Sequence, residues 1–199
     1  MRKSLFYAGV LSALLLMAAA ARAETPTAFV RGILDKVMAI QNDAALAGPA
    51  KEEARAEAIR RVIRENFDYP LMAKNSLGST YGRLGAAQRK EFTDIFGYLF
   101  QDSYTRLVLN FLKRETIKYQ KEIPEGARAM VKTTILRTNE TIPVDYQMHT
   151  RGSGWVLYDV IVDGVSILEN YRTRFGQEIQ THGFASLLGK MRRQRKATR

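Results

Sequence analysis

The sequence contains no cysteine, one tryptophan and two histidines among its 199 residues. Without cysteine, the chain can form neither a disulfide nor a thiolate metal site, and it has no thiol nucleophile. His149 and His182 lie far apart in the sequence, and the H-E-x-x-H pattern of zinc hydrolases is absent. The G-x-S-x-G nucleophile motif is absent as well. The sequence therefore predicts no catalytic residue and no metal site.

Acidic residues are fewer than basic ones, which gives a formal net charge of +11. The excess lies at the two ends of the chain, because residues 1–23 and residues 190–199 contain basic residues but no acidic one. The body between them is close to neutral. It also lacks the interleaved aromatic and basic residues with which single-strand binders hold nucleic acid. We therefore expect no nucleic-acid partner.

Residues 1–23 have the organisation of a secretory signal peptide. Arg2 and Lys3 precede an uncharged apolar stretch over residues 5–20, and Ala21–Ala23 supplies a small-x-small cleavage motif. The stretch is short for a membrane span, and no cysteine follows it to carry a lipid anchor. We expect cleavage after Ala23 and export to the periplasm of a Gram-negative bacterium.

The first half of the mature chain is predicted to be helical. Thr25 and Pro26 form an N-cap followed by proline at the first helical position, and apolar residues then recur at helical spacing. Further helices are expected over residues 51–67, over a short segment that stops at Gly78, and over residues 86–112, with a loop over residues 79–85.

After Arg114 the hydrophobic period changes from about 3.6 to about 2, which indicates strands. Four antiparallel strands are predicted, over residues 116–122, 128–138, 141–150 and 155–162. Ser166 and Glu169 then form a capping box that starts a helix ending near Gly183, and a last helix runs into the basic tail. N-terminal helices, a four-stranded sheet and C-terminal helices together predict an α+β fold.

Apolar residues on one face of the sheet and of the long helix allow two interpretations. They fill an ordinary core or they surround a cavity, because both arrangements use the same residue types. An acid inside such a fold, Asp145, Asp159 or Asp163, would suit a small isomerase or dehydratase acting on a hydrophobic substrate. The simpler interpretation places these aspartates at strand edges and turns.

Residues 154–172 read GWVLYDVIVDGVSILENYR, with Phe175 three positions on, and they resemble the signature of the MlaC family, also called the toluene-tolerance family. Residues 142–146 are similar to the preceding strand of that family, and residues 88–92 to the start of its long helix. The resemblance covers essentially the whole mature chain. The tail is more basic than the family pattern.

The resemblance implies a fold like nuclear transport factor 2, a cone around a deep apolar cavity, as a single lipid-binding domain over residues 24–189. It implies a periplasmic carrier, not an enzyme, that shuttles phospholipid between outer-membrane and inner-membrane Mla-type complexes and maintains outer-membrane lipid asymmetry. The implied partners are phospholipid, the inner-membrane Mla ABC-transporter complex, the outer-membrane MlaA lipoprotein with its porin, and a transient membrane contact. Phospholipid would be cargo, and no cofactor is implied.

Apolar residues of both layers are our predicted contacts for acyl chains. From the sheet these are Val131, Ile135, Val144, Tyr146, Met148, Val156, Tyr158 and Val160. From the helices they are Phe92, Phe96, Leu99, Phe100, Tyr104, Leu168, Tyr171 and Phe175. The head group would stay near solvent, where its charge keeps its water.

The basic tail over residues 190–199 leaves three interpretations open. It is a solvated, disordered end, or a segment attracted to anionic phospholipid head groups, or a segment that docks on an acidic partner.

Overall fold

The computed structural model describes residues 24–198, so the predicted signal peptide and Arg199 lie outside the described residues. The elements within that range follow the predicted order of helices, strands and helices, which confirms the α+β fold class. The first helices are α1 (Pro26–Asn42), α2 (Glu52–Asn66), α3 (Tyr69–Leu77), α4 (Ser79–Arg83) and α5 (Ala86–Phe111). The strands are β1 (Thr116–Glu125), β2 (Arg128–Leu136), β3 (Thr141–Arg151), β4 (Gly154–Val162) and β5 (Val165–Ser166), and they are followed by α6 (Ile167–His182) and α7 (Phe184–Ala197).

Two short elements differ from the predictions. The predicted loop over residues 79–85 contains the short helix α4, and β5 adds a fifth strand of two residues to the predicted four. Elements of this length carry too few residues to show a hydrophobic period, so their sequence gives no signal. None of the described helices is both long enough and apolar enough to span a bilayer.

Side-chain caps fix where the helices begin. The Thr25 side chain accepts a hydrogen bond from the Ala28 amide, with Pro26 at the first position of α1 as predicted. The Ser166 hydroxyl accepts from the Glu169 amide at 2.9 Å and starts α6 at the predicted residue.

The sheet is antiparallel throughout, and its strand order follows the chain order. Tyr146 on β3 lies opposite Val131 on β2 and Val160 on β4. Residues directly opposite each other on neighbouring strands point to the same face of the sheet. The pairing register therefore identifies which residues lie on the inner face. The inner face of the three central strands carries Ala129, Val131, Thr133, Ile135, Ile142, Val144, Tyr146, Met148, Leu157, Val160 and Val162.

A bulge in β4 changes which of its residues face inward. Gln147 pairs with Asp159 and Met148 pairs with Leu157, so Tyr158 has no opposite residue. An extra residue of this kind shifts the alternation by one position. Leu157 and Val160 therefore share the inner face, whereas Val156, which pairs with His149, lies on the outer face.

The helices form a second layer whose interior is aromatic. Phe92, Phe96 and Phe100 follow one another along α5 and are almost completely buried. On α6, Tyr171 packs edge-on against Phe96 with ring centroids 5.3 Å apart, and Phe175 packs edge-on against Phe92 at 5.8 Å. Edge-to-face packing at this spacing is favourable for aromatic rings. These aromatic residues join the helices to the single hydrophobic core that also contains the inner face of the sheet.

The basic tail is helical over residues 190–197, as part of α7, so the interpretation of a disordered end is wrong for these residues. Met191 is buried, and Arg192 makes two hydrogen bonds to the Glu91 carboxylate, at 2.6 and 2.7 Å. Lys190 pairs with Glu178 at 2.6 Å. The acidic groups that hold these two basic residues therefore belong to the same chain.

Candidate functional site

An apolar cavity of about 300 Å³ lies between the inner face of the sheet and helices α1, α2 and α5. This volume is at the lower end of the range of small-molecule pockets, about 300–1,000 Å³. The helical wall consists of Ile33, Leu34, Val37, Ile63, Phe67, Tyr104, Leu107, Val108, Phe111 and Leu112. The remaining wall consists of Ile135, Glu140, Thr141, Ile142, Val144, Tyr146, Leu157, Val162 and Asp163.

A second cleft, of about 510 Å³, adjoins the cavity between α5, α6 and the end of β4. Tyr104, Leu107 and Val162 line both spaces, so the cavity and the cleft meet at these side chains. The far side of the cleft carries the polar groups of Ser103, Asn170 and Arg174. The cleft thus leads from the apolar interior to a polar surface.

A contact between α5 and the β2–β3 turn lies at the rim of the cavity. Arg137 donates a hydrogen bond to the Phe111 carbonyl oxygen at 2.6 Å, and its guanidinium lies 5.1 Å from the Phe111 ring centroid. Glu140, which receives an ion pair from Arg137, lines both the cavity and a wide polar groove outside it. Charged groups therefore collect at the rim, and the interior is apolar.

Two tyrosine side chains, Tyr104 and Tyr146, bring hydroxyl groups to the cavity wall. Burial raises the pKa of each hydroxyl, and the charge of Asp159 raises the pKa of Tyr104 further. Both hydroxyls are therefore neutral in the physiological pH range.

The three aspartates considered as acids occupy structural positions. Asp159 is buried, does not line the cavity, and accepts hydrogen bonds from the Ser166 hydroxyl and from the Val160 and Leu168 amides. Asp145 pairs with Lys132 at 3.2 Å. Asp163 lies in the turn after β4, at the rim. Only Asp163 agrees with the turn interpretation, because Asp145 and Asp159 lie within β3 and β4. None of the three is placed as an acid inside the cavity.

The two histidines also have structural partners. The His149 Nε2 atom lies 3.0 Å from Oδ2 of Asp68. The Oδ1 atom of Asp68 caps α3 by accepting a hydrogen bond from the Leu71 amide. His182 lies 3.4 Å from Glu178 on the same helix. In the part of the chain that the structure describes, no cluster of three or more His, Cys, Asp or Glu residues could hold a metal ion.

The predicted contact residues fall into five groups in the structure. Ile135, Val144, Tyr146 and Tyr104 line the cavity, and Phe100 and Tyr171 line the adjoining cleft together with Tyr104. Val131, Met148 and Val160 lie on the inner face of the sheet without lining either space. Val156 lies on the outer face, and the Tyr158 ring lies near His149, with centroids 6.0 Å apart. Phe92, Phe96, Leu99, Leu168 and Phe175 belong to the core away from both spaces.

Several cavity residues on α1, on α2 and directly after α2 were not among the predicted contacts. Ile33, Leu34 and Val37 cover one side, and Ile63 and Phe67 cover another. Helical spacing identified both helices as amphipathic. Spacing alone does not indicate which helix lies over the sheet.

The fold and the cavity define this protein as an α+β domain with a ligand-sized apolar space between its sheet and helices. The chain belongs to the MlaC protein family, whose sequence model matches residues 31–193. This membership confirms the resemblance seen in the sequence.

Two characterised relatives are similar over much of the chain. The intermembrane phospholipid transport system binding protein MlaC of Haemophilus influenzae is 24% identical over 194 residues, covering 92% of this chain and 87% of that protein. Toluene tolerance protein ttg2D of Pseudomonas putida is 22% identical over 136 residues, covering 64% of this chain and 60% of that protein.

A solved structure shares the fold. The phospholipid-binding protein from Ralstonia solanacearum, determined in complex with a phospholipid, superposes with a TM-score of 0.74 at 20% sequence identity. The match covers 88% of this chain and 98% of that one.

Proposed function

We propose that this protein is a periplasmic carrier that holds phospholipid acyl chains in its apolar cavity. The observation that carries the proposal is the cavity of about 300 Å³ between sheet and helices, in a chain of the MlaC family. The Ralstonia solanacearum neighbour, which has the same fold, is a phospholipid complex, and this supports the assignment.

The apolar cavity lowers a large solvation barrier. Moving one methylene from water to an apolar site is favourable by about 0.8 kcal/mol. The free-energy cost of exposing two acyl chains to water is therefore on the order of 20 kcal/mol or more. A bilayer offers the chains nearly the same environment as the cavity, which keeps the net preference between carrier and membrane small. The direction of lipid transport must then come from differential binding at the two partners or from ATP use at the inner membrane.

The proposed route runs between two membranes. We assign the donor and acceptor roles to the inner-membrane Mla ABC-transporter complex and to the outer-membrane MlaA lipoprotein with its porin, with maintenance of outer-membrane lipid asymmetry as the outcome. The Haemophilus influenzae relative, a binding protein of an intermembrane phospholipid transport system, supports this route. The signal-peptide pattern over residues 1–23 supports a periplasmic location.

The lipid would occupy both apolar spaces. The cavity is small for two acyl chains, and it shares the lining residues Tyr104, Leu107 and Val162 with the adjoining cleft of about 510 Å³. Rotation of these side chains would join the two spaces. The head group would then lie toward solvent, near the polar side chains of the cleft or of the rim.

The positions of the aspartates favour a carrier over an isomerase or dehydratase. A general acid or base has to reach the substrate, whereas Asp159 does not line the cavity and its carboxylate accepts hydrogen bonds from three donors. Asp163 reaches only the rim. We propose that the protein performs no chemistry on its cargo.

Mass spectrometry of lipid extracted from the purified mature protein tests this function. We expect stoichiometric phospholipid in the unmodified protein and strongly reduced lipid in Leu107→Trp, whose indole would fill the junction of the two spaces. Leu109→Trp is the matched control, because Leu109 is on the same helix but lines the polar groove outside. Absence of phospholipid from the unmodified protein, or equal lipid in both variants, would contradict the proposal.

A further inference from the structure

The Tyr146 hydroxyl, like that of Tyr104, is a polar group of the cavity wall that an apolar chain does not explain. Tyr146 lies on the inner face of β3, lines the cavity, and is only 4% exposed. Its hydroxyl makes no hydrogen bond to any residue between 24 and 198. By contrast, the Tyr69 hydroxyl donates to the Ile63 carbonyl oxygen at 2.9 Å, and the Tyr98 hydroxyl donates to the Thr198 carbonyl oxygen at 3.1 Å.

A tyrosine at this position adds a polar group to the cavity wall that phenylalanine would lack. Buried hydroxyl groups are nearly always paired, and leaving one unpaired lowers stability. The residues opposite Tyr146 on the neighbouring strands, Val131 and Val160, offer no side-chain acceptor. The hydroxyls of Tyr104 and Tyr119 lie near enough to raise the pKa of Tyr146, but neither is hydrogen-bonded to it. A phenylalanine ring would fill the same space without an unpaired donor. The hydroxyl therefore indicates a partner that arrives with the ligand.

The wall of the cavity restricts what that partner can be. It contains two acidic side chains, Glu140 and Asp163, and no lysine, arginine or histidine. A carboxylate or phosphate would lose its hydration there without gaining a positive partner. The Tyr146 hydroxyl itself stays neutral, because burial raises its pKa. A neutral donor in an apolar, weakly acidic cavity suits a neutral carbonyl oxygen.

We propose that the Tyr146 hydroxyl donates a hydrogen bond to an ester carbonyl oxygen of the bound lipid, and that the cavity thereby prefers ester-linked over ether-linked chains. This inference rests on the proposed lipid-carrying function. The ester carbonyls are neutral acceptors located where the acyl chains join the glycerol. In a dialkyl ether lipid the carbonyl is missing, and the Tyr146 hydroxyl would remain unpaired in the complex.

A competition between two lipids of matched chain length tests the preference. Delipidated mature protein is mixed with vesicles of equimolar diacyl and di-O-alkyl phosphatidylcholine, and native mass spectrometry measures the bound ratio. We expect about a tenfold excess of the diacyl lipid, the factor that corresponds to one hydrogen bond. In Tyr146→Phe we expect a ratio near one with total lipid retained.

Tyr69→Phe serves as the matched control, because the Tyr69 hydroxyl is paired with the Ile63 carbonyl and does not line the cavity. It should keep the diacyl preference. Thermal unfolding of the lipid-free proteins gives a second readout, since Tyr146→Phe removes an unpaired hydroxyl and should be at least as stable as the unmodified protein.

The outcomes separate the inference from the function on which it rests. Equal loading of both lipids by the unmodified protein, or an unchanged preference in Tyr146→Phe, overturns the assignment to Tyr146 and leaves the carrier function intact. Displacement of the diacyl lipid by an equimolar free fatty acid also overturns it, because the acceptor would then be a carboxylate. Failure to load either phosphatidylcholine from the vesicles contradicts the carrier function itself.

Discussion

The Asp159 carboxylate on β4 accepts a hydrogen bond from the Ser166 hydroxyl at 2.5 Å. Its other oxygen accepts from the Leu168 amide at 3.0 Å and from the Val160 amide at 2.8 Å. Ser166 in turn caps α6 by accepting from the Glu169 amide. The buried carboxylate therefore fixes the start of α6 to the strand that forms one wall of the cavity.

Replacing Asp159 should destabilise the fold. Asp159→Ala removes a charged acceptor and leaves the Leu168 and Val160 amides without their partner, which we expect to lower the free energy of unfolding by about 3 kcal/mol. Urea denaturation measures this change. Asp145→Ala is the control, because the pair with Lys132 is partly exposed and should contribute less than about 1 kcal/mol. Equal losses in the two variants would contradict the anchoring role of Asp159.

The same carboxylate predicts a pH dependence of stability. Burial raises the pKa of Asp159 in the folded protein, so the folded state holds this proton more tightly than the unfolded chain. Its contribution to the free energy of unfolding should therefore fall as pH rises from the ordinary aspartate pKa of about 4 through the raised value.

Asp159→Asn isolates this dependence, because the amide does not titrate. We expect the free energy of unfolding of the unmodified protein, minus that of Asp159→Asn, to decrease across that pH range and then to level off. Denaturation at a series of pH values measures the difference. A difference that is constant with pH, or that increases, is inconsistent with a raised pKa.

The contributions of packing and of charge to the stability of helix α7 can be measured separately. Met191 is buried, so Met191→Ala should lower the free energy of unfolding by about 2–4 kcal/mol. Arg192→Ala removes the ion pair with Glu91 on the exposed side of the helix and should leave stability nearly unchanged. Urea denaturation of both variants provides the comparison. A larger loss from Arg192→Ala than from Met191→Ala would show that α7 is held by charge.

The exposed basic residues of α7 provide a test of transient membrane contact. Arg193 and Lys196 are exposed, and their replacement by glutamine preserves the buried Met191, which truncation after Gly189 would not. If these residues face anionic head groups, each contributes about 1 kcal/mol to the free energy of membrane binding. The double variant should therefore bind anionic vesicles more weakly by more than tenfold. Co-sedimentation at low salt measures this binding.

High salt should remove most of the difference between the double variant and the unmodified protein, because it screens exposed charges. Arg192→Gln is the control, because it also removes one positive charge, but from a residue that is paired with Glu91. It should weaken vesicle binding less than either exposed substitution does. Unchanged vesicle binding in the double variant would leave docking on an acidic partner as the remaining interpretation of the tail.

Strand alternation predicted the faces of β2 and β3 but not those of β4. On β3, Val144, Tyr146 and Met148 alternate with polar residues, and all three lie on the inner face. On β4 nearly every residue is apolar, so the sequence carries no signal for the bulge at Tyr158. The bulge depends on how β4 fits against β3 and the helices, and a single strand does not contain that information.

The sequence by itself determined the α+β class, the order of the main elements and the family, because periodicity, caps and the block over residues 154–172 are local patterns. Only the tertiary structure decided where apolar residues enclose an empty space and where they fill a core. Phe96 and Tyr146 are both buried aromatic residues, yet Phe96 packs among the helices and Tyr146 faces the cavity. The difference arises because unfilled volume depends on how the sheet and helices fit together, and residue type alone does not determine that fit.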